Sequence, residues 1–311
     1  MMAKTDYQLI ILGGGPGGLT AGLYAARDRL KALLIEKGAL GGQVLVTDWI
    51  DNYPGFPDGL SGFDLVEKMA AQAARFELET KYAQVTGLEF FEKTKKLTLE
   101  DGETLTCQSL IIATGARPNK LGIPGEEQLT GKGVSYCATC DGPFYRDQEI
   151  IVVGGGDTAV QEADFLTKFA SKVTVVHRRD QLRATRILQE KAFANERLEF
   201  LWNSQVQEIK GENGVDKAVI RDNSGNITEM AVTGVFVLIG TIPNNDILPL
   251  EQLGADQYGF ILTDDEMRTR VPGVMVVGDI RSKTVRQVVN AAGEGAVAAI
   301  AAEHYLNGLT E

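Results

Sequence analysis

Cysteine and histidine are scarce in this chain, with three of the first and two of the second among 311 residues. So few cysteines cannot build the dense disulfide framework that holds a small secreted domain together. A structural zinc site is also disfavoured, because it needs four ligands. Beyond Cys137 and Cys140 only Cys107, His177 and His304 remain, scattered along the sequence. No apolar run approaches the roughly 18 residues that a membrane-crossing helix requires. Positive charge is short as well: 31 Lys and Arg stand against 42 Asp and Glu, a net charge of −11. That balance disfavours nucleic acid and anionic lipid as partners, since both demand a positive face. Between Met1 and the strand-like stretch Tyr7 to Leu12 there is no room for a basic segment, an apolar stretch and a cleavage site, so a cytoplasmic location is expected.

Glycine, by contrast, is plentiful at 35 residues, and its placement is informative. Tyr7 to Leu12 reads as a strand that runs into Gly13-Gly14-Gly15-Pro16-Gly17-Gly18, an Ala-rich helix to about Leu30 and a strand at Ala32 to Ile35. The same unit returns 141 residues later: Ile150 to Val153, then Gly154-Gly155-Gly156-Asp157-Thr158-Ala159, a helix to about Phe169 and a strand at Lys172 to Val176. In such a β-α-β start the first glycine makes the tight turn, the second admits a pyrophosphate, and the third lets helix and strand pack closely. The helix N-terminus then faces the phosphate charge. A single such loop is a weak signal. Two in matching context predict two dinucleotide sites. A second echo, Gly115-Ala116-Arg117-Pro118-Asn119 against Gly240-Thr241-Ile242-Pro243-Asn244, marks where the chain passes from one unit to the other. The expected domains are 1–119 with 248–311, and 120–247 inserted between them.

Twenty-three residues past the first glycine of each loop stands the residue that meets the ribose. In the first unit this is Glu36, which suits an unphosphorylated ribose of FAD or NAD and repels a 2′-phosphate. In the second it is His177, followed by Arg178, Arg179 and Arg183. Guanidinium groups bind phosphate oxygens through charge-assisted, often bidentate bonds, so the cluster reads as a 2′-phosphate site selecting NADP. A solvated basic face is the plainer alternative, and His177 is not assigned as a general base. FAD is favoured for the first unit by Gly273 to Asp279, a strand ending in Gly278-Asp279 whose carboxylate can bond a ribityl hydroxyl. After it, Arg286-Gln287-Val288 opens an apolar helix whose positive end could face the flavin. A core helix with polar residues at its start is the alternative there.

In a reducing compartment the spacing of Cys137-Ala138-Thr139-Cys140 reads as a redox disulfide, able to close and open with little backbone movement. Asp141 follows directly and is expected to act as acid/base for the thiols, unless it only caps the turn. Cys107 lies just before a buried strand and is expected to be an inert core thiol.

The strings Cys137-Ala138-Thr139-Cys140-Asp141-Gly142 and His177-Arg178-Arg179-Asp180, with both glycine loops, Gly41-Gly42-Gln43, Gly278-Asp279 and Arg286-Gln287, resemble the bacterial-type, low-molecular-weight thioredoxin reductases over nearly the whole chain. The resemblance implies an α/β fold of two Rossmann-like, three-layer dinucleotide-binding domains, the NADP domain inserted in the FAD domain. It implies that FAD lies along Gly13, Gly15, Pro16, Gly18, Glu36, Gly42, Gln43, Asn52, Thr114, Gly115, Gly278, Asp279, Arg286, Gln287 and Val288. NADPH would lie along Gly154, Gly156, Asp157, Thr158, His177, Arg178, Arg179 and Arg183. Cys140 would be the thiol next to the flavin, Cys137 the one that attacks oxidised thioredoxin, and Asp141 the acid/base. Members of that family work as homodimers and rotate the NADPH domain against the FAD domain, which gives a motive for placing the disulfide in the domain that does not carry the flavin. Relatives serving a peroxidase system, oxygen or a ferredoxin donor, and a non-catalytic redox sensor, are the competing expectations.

Overall fold

The computed structural model describes residues 5–309 apart from 48 and 51, and the chain folds as two compact units. One unit runs to Arg117 and resumes at Ile242; the other is Pro118–Thr241. The expected chain ends of the first domain, 1–4 and 310–311, lie outside the described residues.

In chain order the first segment comprises β1 (Tyr7–Leu12), α1 (Pro16–Arg27), β2 (Ala32–Glu36), α2 (Gly62–Ala74), β3 (Glu79–Tyr82), β4 (Val85–Phe90), β5 (Lys95–Leu99), β6 (Thr104–Ile112) and β7 (Ala116–Pro118). The second unit follows with β8 (Val134–Ser135), α3 (Ala138–Asp141), β9 (Glu149–Gly154), α4 (Asp157–Leu166), β10 (Lys172–Val176), α5 (Arg186–Phe193), β11 (Leu198–Leu201), β12 (Ser204–Lys210), β13 (Lys217–Asp222), β14 (Ile227–Ala231) and β15 (Gly234–Leu238). The chain returns through β16 (Thr241–Pro243) to α6 (Leu250–Leu253), β17 (Val274–Val276) and α7 (Val288–Gly308).

The first unit is built on a sheet ordered β3-β2-β1-β6-β5-β4, with β17 also on β6. Strands β3, β2, β1, β6 and β17 run parallel, while β5 and β4 add an antiparallel edge. A parallel strand covered on both faces must be apolar where it is buried, and β1 is so from Leu9 to Leu12. Its Leu9 and Ile11 pack with Leu19, Ala21 and Ala298 of the helical layer. Its Ile10 and Leu12 pack with Leu97, Leu99 and Leu253 on the other face. Each such fully buried aliphatic contributes about 1.5–3 kcal/mol. Helices α1 and α7 cross closely because Gly17 faces Ala291 and Gly295 faces Gly17; a Cβ on either would press on the opposite backbone.

The second unit repeats the plan, with a parallel sheet β11-β10-β9-β15-β8. Ile150 and Val152 of β9 pack on α4 through Ala159 and Ala163. Ile151 and Val153 face the antiparallel sheet β12-β13-β14 through Val206, Ile209 and Ile220. The Gly-x-x-Pro-Asn echo has a backbone reason. Asn119 N–H donates to the Gly240 carbonyl and Asn244 N–H to that of Gly115, at 2.9 and 3.0 Å, within the ladder formed by β7 and β16.

Both helices after the glycine loops stop earlier than the sequence pattern suggests. Helix α1 ends at Arg27 because Arg29 turns left-handed (φ 61°). Helix α4 ends at Leu166, where the Thr167 hydroxyl donates to the Asp164 carbonyl and Asn195 Nδ2 caps the same turn.

Candidate functional site

In the first glycine loop the three positions have different surroundings. A Cβ on Gly13 would press on the Ala113 carbonyl and one on Gly18 on the Gly13 carbonyl, so backbone stands where side chains would be. A Cβ on Gly15 would meet nothing within 4 Å. Gly15 therefore borders open space at the N-terminus of α1, whose first turn begins at Pro16 and has no side-chain cap. Gly42 lies against Gly15, 3.7 Å from its Cα to the Cβ position, and brings exposed Gln43 to the same place. Glu36 stands at the end of β2 with one carboxylate oxygen accepting from Gly14 N–H (2.7 Å) and the other from Gly38 N–H (2.9 Å). The carboxylate is thereby fixed at the loop, with lone pairs left for a further donor.

Residues from distant parts of this unit join it. Asn52 Nδ2 donates to Gln287 Oε1 at 3.2 Å, across 235 positions of sequence. Gln287 is the N-cap of α7 and Val288 its first residue. Asp279 follows Gly278, whose left-handed backbone (φ 75°) turns the chain out of β17. Arg286 laces that turn: its guanidinium reaches the carbonyls of Asp279 (3.5 Å), Lys283 (3.0 Å) and Arg281 (3.4 Å) and lies over the Phe260 ring. Burial raises the Asp279 carboxyl above the usual range, an effect that the Lys283 and Arg286 charges oppose. Lys283 Nζ stands 3.5 Å from Asp279 Oδ1, an ion pair too long for a well-formed hydrogen bond.

In the second unit Gly154 packs against Ala159 and the Leu238 carbonyl, while Gly156 opens on free space at the uncapped start of α4. Thr158 is exposed at that helix start, and the Asp157 carboxylate takes the Thr185 N–H at 2.6 Å. Arg183 N–H donates to the Gly155 carbonyl at 2.7 Å. These two bonds tie the arginine loop to the glycine loop. Arg178, Arg179 and Arg183 are exposed, form no ion pair among the described residues, and line a surface cavity of about 460 Å³ together with Asp180, Asn203 and Asn223. His177 is buried with its ring against Gly155. Burial lowers its pKa, and the Arg183 and Arg179 charges push the same way, so it stands neutral at pH 7.

Among the described residues, three buried side-chain polar atoms lack a hydrogen-bond partner: Thr114 Oγ1, Asp279 Oδ1 and His177 Nε2. A buried polar group without a partner costs about 1–3 kcal/mol, so such atoms mark places where a ligand is wanted. All three belong to residues expected from sequence to hold a dinucleotide. With the space at Gly15 and Gly156, both units fit the groups they would carry.

Cys137 and Cys140 form a disulfide, their Cα atoms 5.3 Å apart, at the start of the short α3. Both are half-buried, as is Asp141. Two residues that the sequence did not flag hold this turn. Ser135 Oγ accepts from Cys137 N–H (3.1 Å) and donates to the Cys137 carbonyl (3.3 Å). Glu162 Oε2, on α4, accepts from Ala138 N–H (3.2 Å), and burial raises its carboxyl pKa. Burial and then the Asp141 charge push the Tyr145 phenol up to about 12. Cys107 is a buried free thiol, raised to about 12 by burial. Neither Ser135 nor Glu162 stands in a motif; only the folded turn exposes their role. Asn203 and Asn223 were equally silent. Glu294 had one signal, an acid between two glycines in an apolar helix.

Residues 7–295 match the family of pyridine nucleotide-disulphide oxidoreductases. The chain is 48% identical over 307 residues to a thioredoxin reductase of Peptoclostridium acidaminophilum, covering 96% of this chain and 97% of that protein. It is 45% identical over 314 residues to the thioredoxin reductase of Bacillus subtilis (strain 168), covering 100% and 98%. The crystal structure of thioredoxin reductase from Streptococcus pyogenes MGAS5005 superposes with a TM-score of 0.93 at 47% identity, covering 97% of this chain and 98% of that one. The chain belongs to the pyridine nucleotide-disulphide oxidoreductase family and, within it, to the thioredoxin reductases, flavoprotein disulfide reductases that use FAD and NADPH.

Proposed function

We propose that this protein reduces thioredoxin with electrons from NADPH, through the Cys137–Cys140 disulfide, and that the two glycine-loop units divide the cofactors. The unit containing Gly13 to Gly18, Glu36 and Asp279 takes FAD; residues 118–241 take NADPH. The carrying observation is that the unpartnered buried atoms fall on Thr114 and Asp279 in one unit and on His177 in the other, beside the arginine-lined cavity. Bound FAD supplies the two-electron relay between the nicotinamide and the disulfide.

Glu36 accepts from the adenosine ribose, Asp279 Oδ1 and the Asn52–Gln287 pair take up the ribityl and ring edges, and the open first turns of α1 and α4 face pyrophosphates. Arg178, Arg179 and Arg183 hold the 2′-phosphate. Reduction adds two electrons and two protons to Cys137–Cys140. The Cys137 thiolate then attacks the partner disulfide, forming a mixed disulfide and releasing one partner thiolate. The Cys140 thiolate attacks Cys137 Sγ, restores Cys137–Cys140 and releases the second, with Asp141 moving the proton at Cys140. Ser135 and Glu162 keep the turn in place while its thiols change bonding.

The working form is a homodimer, supported by the apolar strip Tyr24, Val297 and Ile300 exposed on α1 and α7; sedimentation velocity tests it. Its location is cytoplasmic, where a reducing pool suits a redox dithiol; among the described residues no helix is long and apolar enough to cross a membrane. The decisive experiment is anaerobic mixing with NADPH or NADH, followed by oxidised thioredoxin, for wild type and Cys137→Ser. Fast flavin bleaching is expected with NADPH and slow with NADH, and the variant should bleach but not reduce thioredoxin. Equal rates with both nicotinamides, or undiminished thioredoxin reduction by Cys137→Ser, would overturn the reading.

A further inference from the structure

We infer that Glu294 is a positioning residue for the flavin, holding Lys283 off Asp279 so that Asp279 keeps an open acceptor oxygen for the ribityl chain. The inference rests on the reading that Asp279 contacts FAD.

Glu294 points from α7 back to the turn that carries Asp279. Its Oε2 accepts from Gly278 N–H at 2.6 Å, and its Oε1 pairs with Arg281 Nη1 at 2.7 Å. Lys283 Nζ lies 3.1 and 3.2 Å from the two oxygens. Glu294 and Lys283 side chains are each 11% exposed, so water screens this group poorly. One carboxylate thus serves two cations and a backbone N–H.

Lys283 stands between two carboxylates and lies closer to Glu294. Its ammonium is 3.5 Å from Asp279 Oδ1, an ion pair longer than its 3.1 and 3.2 Å contacts with Glu294. Less than an ångström of movement would close that gap. With the Glu294 charge removed, Lys283 would have Asp279 as its nearest anion, and a flexible ammonium in a poorly solvated site moves to the anion that remains. Oδ1 would then be filled from within the protein, and a flavin hydroxyl would have to displace a charged donor. Arg281 does not take this part, because its Nε is held by Thr263 Oγ1 at 2.8 Å. Glu294 also fixes the Gly278 N–H, and with it the left-handed turn that aims Asp279.

A purely structural staple from α7 to this turn would give a different pattern of variants, because Lys283 would then be irrelevant to flavin retention. The test uses the full-length holoenzyme: loss of FAD on dilution, followed by the rise of flavin fluorescence. The set is wild type, Asp279→Asn, Glu294→Gln, Lys283→Met and the double variant Lys283→Met/Glu294→Gln. Glu294→Gln keeps an acceptor for Gly278 and deletes only the charge. It is expected to release FAD about tenfold faster or more, the scale of one charge-assisted hydrogen bond. Lys283→Met should retain FAD as wild type does, and the double variant should recover to within about threefold of wild type, a coupling visible only if the two residues act together.

A double variant that releases FAD as fast as Glu294→Gln would overturn the inference, as would rapid release from Lys283→Met alone. Asp279→Asn separates the two levels. If it releases FAD at the wild-type rate, the reading of Asp279 falls and the inference with it. If it releases FAD fast while Glu294→Gln does not, only the inference falls. Should Glu294→Gln fail to fold, a folded double variant that retains FAD supports the inference, and failure of both overturns it.

Discussion

Replacing Lys95 by methionine should reverse an unfavourable charge burial, and the effect should depend on pH with a sign that can be worked out. Lys95 is on β5 with 0% of its surface exposed. Its Nζ donates to the Gln108 carbonyl at 2.8 Å and lies 3.4 Å from the Tyr305 hydroxyl, over whose ring it sits at 4.9 Å. No carboxylate pairs with it among the described residues. Burial lowers its pKa from 10.5 to about 8. Between those values the unfolded chain binds a proton that the folded chain does not, so stability rises with pH across that window and is lowest below it. The full penalty is about 3 kcal/mol, nearly all of it present at pH 7 and about 2 kcal/mol at pH 9. Methionine fills a similar volume without charge and forfeits the hydrogen bonds to Gln108 and Tyr305 and the contact with the Tyr305 ring, together about 1–3 kcal/mol. Lys95→Met should therefore be up to about 2 kcal/mol more stable than wild type at pH 7, and the difference should move against the variant by about 1 kcal/mol at pH 9. Cys107, the cross-strand partner of Lys95 on β6, is held at about 12 in the fold and stays protonated up to pH 9, while its unfolded form is the same in both proteins. The assay is urea unfolding at both pH values with FAD concentration fixed, read by flavin fluorescence. A difference between the proteins that is the same at pH 7 and pH 9 would refute the reasoning, since the Lys95 ammonium is the titrating group in which they differ.

Two further outcomes test other parts of the molecule. Arg178→Ala and Arg183→Ala should each raise KM for NADPH by roughly 10- to 150-fold, the value of a hydrogen bond to a charged group, with KM for NADH unchanged; steady-state rates with both nicotinamides check this. Thiol titration with a chromogenic disulfide should find no reactive thiol in the oxidised native protein and two after NADPH, with Cys107 reacting only once urea unfolds the chain, because its thiol is buried and held at about 12.

Much of the chemistry was legible from local pattern. The two glycine loops announce themselves because a tight turn, a phosphate-sized space and a close helix-strand contact must follow one another within six residues, and no long-range contact is needed to specify them. The same holds for the disulfide turn, whose two cysteines are held by their spacing, and for the arginine run at the end of β10. The Gly-x-x-Pro-Asn echo was visible too, although its meaning, a mutual exchange of backbone bonds, was not.

Other features depend on residues that meet only after folding. Asn52 and Gln287 are 235 positions apart and touch because β6 and β17 align in one sheet while α7 packs on α1. Lys95 reads as an exposed charge on a polar strand, yet β5 turns it under Tyr305. Glu162 and Ser135 belong to no motif, and Glu294 selects one of two acceptors for Lys283 only through the turn after β17. The sequence by itself determined the two glycine loops, the cysteine pair and the acidic or arginine-rich ends of the second strands, since backbone stereochemistry and short spacings specify them. Tertiary structure alone decided which buried oxygens and nitrogens stay without a hydrogen bond, because that depends on which distant side chains arrive beside them, and among the described residues Thr114 Oγ1, Asp279 Oδ1 and His177 Nε2 are so left.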